Sequence, residues 1–248
     1  MLLPKLAKSN DLHLWLSAKV GKNNALPKQL KTLKFFEQDL FNNLLGPLIA
    51  GSKRRAAFTS FEGLRAFLES ELKEVNQINS PDIINELRAL SPDLIISIRY
   101  GGILKDNAIS VPPKGVINLH SGILPKYKGV MATFWAMYNK DTEIGTTLHT
   151  IEDASIDTGR IINVSKMATS ATTSYLGHVL ALYQQGCIDI LAAVEVLNSG
   201  ESLNSRPQES TESYFTFPTE IECSDFEKDG FKLVDEDDYL AFIHKHYV

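Results

Sequence analysis

The stretch GVINLHSGILPKYKG, residues 115–129, decides the fold assignment of this chain. Residues 115–120 are mostly apolar and partly β-branched, which is typical of a strand buried on both faces of a parallel sheet. Two polar side chains, Asn118 and His120, interrupt this run near its end. Because successive residues of a strand alternate between faces, these two share one face, about 6.6 Å apart. The stretch predicts a central strand with a polar pair at its carboxyl end.

The segments around this strand alternate between extended and helical patterns. Apolar runs predict further strands at residues 12–18, 92–98, 144–150 and 160–164. The 92–98 run is expected to be buried on both faces. Apolar residues at helical spacing predict helices at residues 29–45 (ending at Gly46-Pro47), 60–73, 81–90, 131–139 and 173–198. This alternation predicts an α/β fold with a doubly wound, Rossmann-like, mostly parallel sheet.

The composition is that of an ordinary globular chain: of 248 residues, 44% are apolar and 22% are charged. Such a chain can bury a sizeable core without a metal or a disulfide. Its two cysteines, Cys187 and Cys223, lie far apart and form no CxxC pair. This spacing argues against a zinc site and against a disulfide framework, so we expect no bound metal.

Charge and hydropathy limit the classes of partner. The net charge is −5, whereas a nucleic-acid-binding surface relies on basic residues that contact phosphates. A short basic run at residues 53–55 is expected to be a solvated loop. No stretch approaches the ~18 consecutive apolar residues of a membrane helix. We therefore expect a cytoplasmic protein that has neither nucleic acid nor membrane as a partner.

The composition of the chain changes after residue 198. Residues 199–213 are polar and rich in turn-forming residues, which is typical of a linker or an extended loop. The tail that follows is too aromatic to be disordered. We expect residues 1–198 to form the main domain and residues 199–248 a small C-terminal extension that packs on it or on a partner subunit. A homodimer is the expected assembly.

The position of Asn118 and His120 gives them two interpretations. Ligands of open α/β sheets bind beyond the carboxyl ends of the strands, which is where this pair lies. The same Asn-x-His pattern also occurs where two polar side chains are simply satisfied at the edge of a core. Taken alone, the pair fits the structural role better than the functional one.

The surrounding sequence favours the functional role. Residues 117–129 read INLHSGILPKYKG, Trp135-Ala136 follows, and then come GTTLH at 145–149 and IDTGRII at 156–162. This set resembles the folate-dependent formyltransferase family, which includes the glycinamide ribonucleotide, methionyl-tRNA and sugar N-formyltransferases. The resemblance covers about residues 91–165. It implies an enzyme whose catalytic residues are Asn118, His120 and Asp157.

The resemblance also implies a mechanism, with N10-formyltetrahydrofolate as the formyl donor and an amine as the acceptor. Asn118 and a protonated His120 would offer N–H groups to the formyl oxygen, where negative charge develops. Asp157 would pair with His120, favour its imidazolium form and help to remove the amine proton. By the same resemblance, the pteridine would lie along Tyr100, Gly101, Gly102, Ile103 and Leu104, with Asp153 and Ile156 on its other side. His149 is expected to be structural.

The acceptor amine is indicated by weaker similarities. IRYG at residues 98–101, INSP at 78–81 and SYFTFPT at 213–219 resemble the sugar N-formyltransferases. They imply a nucleotide-linked amino sugar of the dTDP-4-amino-4,6-dideoxyglucose type, used in surface polysaccharide (lipopolysaccharide O-antigen) biosynthesis. Candidate substrate-binding residues are Arg99, Lys126, Tyr127, Tyr214 and Phe217.

Several alternatives stay open. A different amine, such as methionyl-tRNA or a hydroxylated amino acid, would keep the reaction and change the acceptor. With water as the acceptor, the protein would be a hydrolase of the formylated folate, and with no turnover it would be a binding module. Family members begin with a strand, whereas this sequence begins in a helical pattern at residues 2–8. One interpretation is that the first strand of the family is missing from this chain.

Overall fold

A computed structural model of the chain describes residues 1–18, 26–50, 58–211 and 213–247. The basic run at residues 53–55 lies outside the described residues. The described strands are β1 (Trp15–Leu16), β2 (Lys73–Glu74), β3 (Ile95–Ile98), β4 (Val116–His120), β5 (Glu143–Ile151) and β6 (Ile161–Ala168). The described α-helices are α1 (Leu3–Leu6), α2 (Lys28–Lys34), α3 (Gly46–Ala50), α4 (Phe61–Leu64), α5 (Pro81–Leu90), α6 (Asp106–Ile109), α7 (Ala132–Tyr138), α8 (Tyr175–Asn198), α9 (Glu220–Lys228) and α10 (Glu236–Tyr247).

The main sheet has the order β3-β4-β5-β6, and β1 pairs with β2 in a separate two-stranded parallel sheet. The α/β class predicted from the sequence is confirmed. The described part of the main sheet is mixed: β3 and β4 are parallel, whereas β5 runs antiparallel to both β4 and β6. The link at residues 152–160 is shorter than the dozen or so residues that a parallel crossover needs, so β5 and β6 must be antiparallel.

Strand β4 lies inside the sheet, as predicted, whereas β3 does not. Four of the five residues of β4 are buried, and Asn118 is half-buried. The residues of β3 are half-buried, and Ile98 is 37% exposed. The prediction that this strand is buried on both faces was wrong, because in the described chain β3 lies at the edge of its sheet.

Helix α8 covers one face of the sheet and fixes β4 in place. Ile190, Ala193 and Val194 of α8 form a buried cluster with Leu119 of β4 and its neighbours. Gly186 allows the close approach, since a Cβ there would lie 2.5 Å from Leu119 Cδ2. By length and composition alone, α8 could span a membrane, unlike the expectation from the sequence. Ten of its residues are buried inside this fold.

The helix predicted at residues 29–45 does not end at Gly46-Pro47. After α2 the chain makes two wider, π-helical turns, Phe35–Asp39 and Phe41–Leu45, and then continues as α3. A Cβ on Gly46 would lie only 3.0 Å from the Phe41 carbonyl oxygen, so a glycine suits the close backbone contact between these two residues. Single π-helical turns are frequent at functional sites, and this segment forms part of a cavity wall.

Two other predicted elements are shorter than expected. The helix predicted at residues 60–73 ends at Phe67, after one α-helical turn and one 3-10 turn. Its N-cap is Ser60 as predicted, because the Ser60 side chain accepts a hydrogen bond from Gly63 N. The strand predicted at residues 12–18 is limited to β1, and the predicted N-terminal helix is limited to α1.

The C-terminal extension packs on the main body of the chain. Five of its side chains, Cys223, Phe226, Leu233, Tyr239 and Ile243, belong to the same buried cluster as α7 and the first half of α8. Phe226 is fully buried and its ring lies 4.6 Å from that of Phe134. Both cysteines are free thiols.

Candidate active site

A cavity of about 890 Å³ opens beyond the carboxyl ends of β3 and β4. This is the edge at which open α/β sheets bind ligands. The side chains of Asn118, His120, His149 and Asp157 all line it. The structure therefore brings together the three residues that the family resemblance singled out, with one histidine more.

The register of β4 and β5 joins Asn118 to His149. The two residues are directly opposed in the antiparallel pair, and Asn118 Nδ2 lies 3.1 Å from His149 Nε2. His149 Nδ1 lies 2.7 Å from the Thr150 carbonyl oxygen, which can only accept, so Nδ1 carries the proton. In a neutral His149, Nε2 is then an acceptor, and Asn118 donates to it.

His120 is held by a backbone carbonyl and faces a carboxylate. Its Nε2 lies 2.6 Å from the Tyr127 carbonyl oxygen and donates to it. Its Nδ1 lies 3.4 Å from Asp157 Oδ2. The His120 side chain is only 8% exposed, so both ring nitrogens meet protein groups and not bulk solvent.

Asp157 lies between the two histidines. Gly129 N donates to its Oδ2 at 2.8 Å, and its Oδ1 lies 3.5 Å from His149 Nε2. The backbone of Asp157 has φ +55°, a left-handed conformation that aspartate adopts more readily than most residues. This conformation turns the side chain of the loop residue back toward the end of β4.

Burial and charge set the protonation states of this group. Burial lowers the pKa of His120, and the charge of Asp157 opposes this only in part, so His120 is neutral near pH 7. Burial would raise the pKa of Asp157, but its neighbours, the two histidines and the Gly129 N–H, outweigh the effect of burial and lower that pKa. The neutral His120 differs from the imidazolium implied by the resemblance.

This arrangement can serve an acyl transfer. Asn118 uses one amide hydrogen on His149 and has a second one to offer to an oxygen that gains negative charge. The unprotonated Nδ1 of His120 and the ionised Asp157 face each other, so a proton released by an attacking amine could be held between them. In the described part of the chain, no group of His, Cys, Asp and Glu side chains is arranged to hold a metal ion.

The residues predicted to hold the folate line the same cavity: Tyr100, Gly101, Gly102, Ile103, Leu104, Asp153 and Ile156. Two of them, Ile103 and Ile156, expose 51% and 37% of their surface. Apolar side chains exposed inside a cleft can pack against the face of a flat ring. The Tyr100 hydroxyl donates to the Val75 carbonyl oxygen at 2.7 Å, which fixes this wall.

The predicted substrate contacts divide into two groups. Arg99, Tyr214 and Phe217 line the cavity. Lys126 and Tyr127 are not among its lining residues, so their contact with a substrate stays a prediction. Both side chains are hydrogen-bonded to Asp141, with distances of 2.7 Å from Lys126 Nζ and 2.9 Å from the Tyr127 hydroxyl. Tyr127 contributes its carbonyl group to His120 instead.

Two further residues at the site, Glu37 and His149, were not predicted to take part in it. Glu37, on the first π-helical turn, holds Arg99: Nη2 donates to both carboxylate oxygens at 3.1 Å. His149 was expected to be structural, yet it contacts Asn118 and Asp157. The antiparallel pairing of β4 with β5 would have revealed His149, because it places this residue opposite Asn118. No local pattern marks Glu37, since its contact spans 62 residues of sequence.

An amide donor, a neutral histidine and an ionised carboxylate around one cavity define a site of the acyl-transfer class. The sequence model of the formyl transferase family matches residues 50–177, just over half of the chain. The chain therefore belongs to the formyl transferase family, which confirms the resemblance found in the sequence.

Methionyl-tRNA formyltransferases are among the curated relatives that the chain matches. The enzyme of Trichlorobacter lovleyi is 37% identical over 86 residues, which is 35% of this chain and 27% of the relative. That of Synechococcus sp. is 30% identical over 149 residues, which is 60% of this chain and 45% of the relative. The matched region thus spans less than half the length of these relatives.

Solved structures share the fold at lower sequence identity. A sugar N-formyltransferase from Shewanella sp. superposes with a TM-score of 0.52 and 17% identity, over 87% of this chain and 79% of that one. HypX from Aquifex aeolicus, in complex with tetrahydrofolic acid, has a TM-score of 0.52 and 17% identity, over 82% of this chain and 29% of that one. At this identity, the likeness is one of fold.

Proposed function

We propose that this protein is a folate-dependent N-formyltransferase. The observation that carries the proposal is the cluster at the end of β4, in which Asn118, His120 and Asp157 meet around one cavity. Membership of the formyl transferase family supports the same reaction. The donor is N10-formyltetrahydrofolate, which supplies a formyl carbon bound to nitrogen.

The wall of the cavity suits such a donor. Ile103 and Ile156 present apolar surface, and Gly101 and Gly102 keep the backbone accessible. HypX, which shares the fold, was solved with tetrahydrofolic acid bound. The segment at residues 100–104 is therefore proposed to lie along the pteridine, with Asp153 and Ile156 across from it.

The residues of the chain have separate tasks in the transfer. When an acceptor amine attacks the formyl carbon, Asn118 Nδ2 donates its second hydrogen to the oxygen that becomes negative. His120 and Asp157 accept the proton that the amine loses and hold it between Nδ1 and Oδ2. That proton leaves with the folate nitrogen as its bond to the formyl carbon breaks, so the products are a formamide and tetrahydrofolate.

We propose a nucleotide-linked amino sugar, of the dTDP-4-amino-4,6-dideoxyglucose type, as the acceptor. Tyr214 and Phe217 line the cavity, and an aromatic side chain can stack on a nucleotide base. The Shewanella protein with this fold is a sugar N-formyltransferase. Such a product would enter surface polysaccharide (O-antigen) assembly. Because Glu37 pairs with Arg99, that arginine is less available to a phosphate than its sequence position suggested.

Methionyl-tRNA is the second candidate acceptor, because curated relatives of this chain are named methionyl-tRNA formyltransferases. The matched region covers less than half of those relatives. The net charge of −5 also gives a weaker electrostatic attraction to tRNA than a basic protein would have.

An acceptor panel tests the proposal. The purified protein is incubated with N10-formyltetrahydrofolate and, separately, with dTDP-linked amino sugars, UDP-linked amino sugars, methionyl-tRNA or no acceptor. Tetrahydrofolate release that requires an amino sugar is the expected result. Release only with methionyl-tRNA would replace the acceptor, and formate release without any amine would indicate a hydrolase. No turnover of the folate in any arm would contradict the proposed reaction.

A cytoplasmic homodimer is proposed as the working form. The aromatic tail that suggested a partner subunit is largely used in the chain's own core, as Phe226 and Tyr239 show. Ile221 and Leu240 of the same extension remain 73% and 56% exposed, and exposed apolar side chains favour association when they are contiguous. Light scattering in solution tests this: a mass near twice 27.6 kDa supports the dimer, and a mass near 27.6 kDa contradicts it.

A further inference from the structure

The segment that the sequence marked as a linker lies across the loops of the active site. We define residues 205–211 and 213–217 as the strap. At one end, Arg206 and Ile161 exchange two backbone hydrogen bonds, of 2.8 and 2.9 Å. At the other end, Phe215 forms a parallel bridge with Gly129. Between these ends, the Thr211 carbonyl oxygen accepts a hydrogen bond from Lys128 Nζ at 2.7 Å.

Gln208 joins the strap to the loop that carries Asp157. Its Nε2 donates to the carbonyl oxygens of Asp157, at 3.0 Å, and of Gly159, at 2.6 Å. A carbonyl oxygen can only accept, so the amide must present its nitrogen to both of them. The Gln208 Oε1 atom is buried and has no hydrogen-bond partner among the described residues. A buried oxygen without a partner costs free energy and calls for an explanation. The two hydrogen bonds that the Gln208 amide donates to the loop supply one.

Two features constrain the conformation of this loop. Asp157 holds a left-handed backbone conformation at φ +55°, which is unfavourable for a residue with a side chain. Gly159 is buried so tightly that a Cβ there would lie 1.8 Å from the Thr150 carbonyl oxygen. Gln208 bonds the backbone at both ends of this turn, so it opposes the relaxation of Asp157 toward a commoner conformation.

The other end of the strap fixes the second contact of Asp157. Phe215 N donates to the Lys128 carbonyl oxygen at 2.9 Å, and Val130 N donates to the Phe215 carbonyl oxygen at 3.0 Å. These bonds flank Gly129, whose N–H donates to Asp157 Oδ2. The strap therefore positions both the backbone of Asp157 and the N–H group that orients its carboxylate.

We infer that Gln208 is a positioning residue for Asp157 and that the C-terminal strap, through it, sets the rate of the transfer. This inference rests on the proposed role of Asp157 in formyl transfer. Gln208 touches the backbone of the loop and neither reacting group. Its removal therefore lowers kcat without weakening the binding of the folate.

The test compares Gln208→Ala and Gln208→Met, the second of which keeps most of the side-chain volume without a donor. With N10-formyltetrahydrofolate and dTDP-4-amino-4,6-dideoxyglucose, both variants are expected to lose roughly ten- to hundredfold in kcat, as for a small misplacement of a catalytic group. The KM for the folate is expected to stay within about twofold, because the lost interaction acts only in the transition state. The matched control is Glu209→Gln, at the exposed neighbouring position, which is expected to keep the full rate.

A second background separates positioning from general destabilisation. With Asp157→Ala already present, Gln208→Met is expected to have no further effect on the residual rate, because the group it positions is gone. A full kcat in both Gln208 variants, or an equal further loss in the Asp157→Ala background, would overturn the inference. A full rate in Asp157→Ala alone would instead contradict the proposed function.

Crystal structures of the wild type and Gln208→Met provide a test that does not depend on turnover. In the variant, the Asp157 carboxylate is expected to leave the hydrogen bond of Gly129 N, or φ of Asp157 is expected to become negative. An unchanged Asp157 would overturn the inference even if no acceptor supported turnover.

Discussion

At the scale of single residues, the orientation of one amide determines what the site can do. The Thr150 carbonyl oxygen fixes the proton of His149 on Nδ1, and Nε2 then accepts from Asn118. This contact turns the Asn118 nitrogen, and not its oxygen, toward the histidine. The amide keeps one N–H for an oxygen that gains negative charge, which is the role of an oxyanion donor.

Replacing Asn118 by alanine removes that donor. We expect Asn118→Ala to lower kcat by about 10²–10³, the usual effect of losing one oxyanion donor, with little change in KM. Steady-state kinetics of tetrahydrofolate release measures it. Asn163→Ala, on the exposed side of β6, is the matched control and should keep the wild-type rate. A wild-type kcat in Asn118→Ala would contradict the role of this amide.

The pH dependence of the rate follows from the lowered pKa of His120. The neutral ring accepts a proton, so kcat/KM should rise as pH increases through a midpoint below 6.5, the ordinary histidine value. Asp157→Asn removes the charge that opposes the effect of burial, so the midpoint of its residual rate should move to still lower pH. A pH–rate profile checks both statements. A rate that falls with rising pH across this range would show that the imidazolium is the active form.

At the scale of elements, the close packing of α8 on β4 holds the strand of Asn118 and His120 in place. The contact depends on Gly186, next to Leu119, which separates Asn118 from His120 along the strand. Any side chain at position 186 must displace the Leu119 side chain or push α8 away from the sheet. The strand that carries two site residues would then lose part of its support.

Gly186→Val tests this packing. We expect the free energy of unfolding to fall by about 1–3 kcal/mol, because the added atoms overpack a filled core. Ala192→Val, at an exposed position of the same helix, should change it by less than about 0.5 kcal/mol. Urea denaturation followed by circular dichroism measures both. Equal stabilities for the two variants would contradict the close contact between α8 and β4.

Some of these elements could be predicted from the sequence, and others could not. The strand β4 and its polar pair were predictable, because strand periodicity places Asn118 and His120 on one face. The continuation of α2 past Pro47 was not, since it depends on π-helical turns that the helical pattern does not encode. The roles of Glu37, His149 and Gln208 depend on pairings between distant segments, which no local pattern reveals.

At the scale of the whole molecule, the C-terminal extension is part of the folded body and not an appendage. Phe226 packs on Phe134 of α7, and the strap bonds both site loops. Loss of the extension would therefore affect the core and the site together.

Phe226→Ala measures how far the extension and the core unfold together. We expect the free energy of unfolding to fall by about 3–5 kcal/mol, in one cooperative transition, because a fully buried aromatic ring is lost. Ile221→Ala, 73% exposed on the same helix, is the control and should change it by less than about 0.5 kcal/mol. Calorimetry that resolved a separate, early transition of the extension would contradict this coupling.

We propose that Asn118, His120 and Asp157 transfer a formyl group from a folate to an amine. The most direct test is a single-turnover experiment with N10-[¹³C]formyltetrahydrofolate and an amino-sugar nucleotide, followed by mass spectrometry of the nucleotide product. We expect a ¹³C-formamide on the sugar with the wild type and a strongly reduced yield with Asn118→Ala and Asp157→Ala. A wild-type enzyme that leaves every amine of the acceptor panel unlabelled, or variants that label as fast as the wild type, would contradict it.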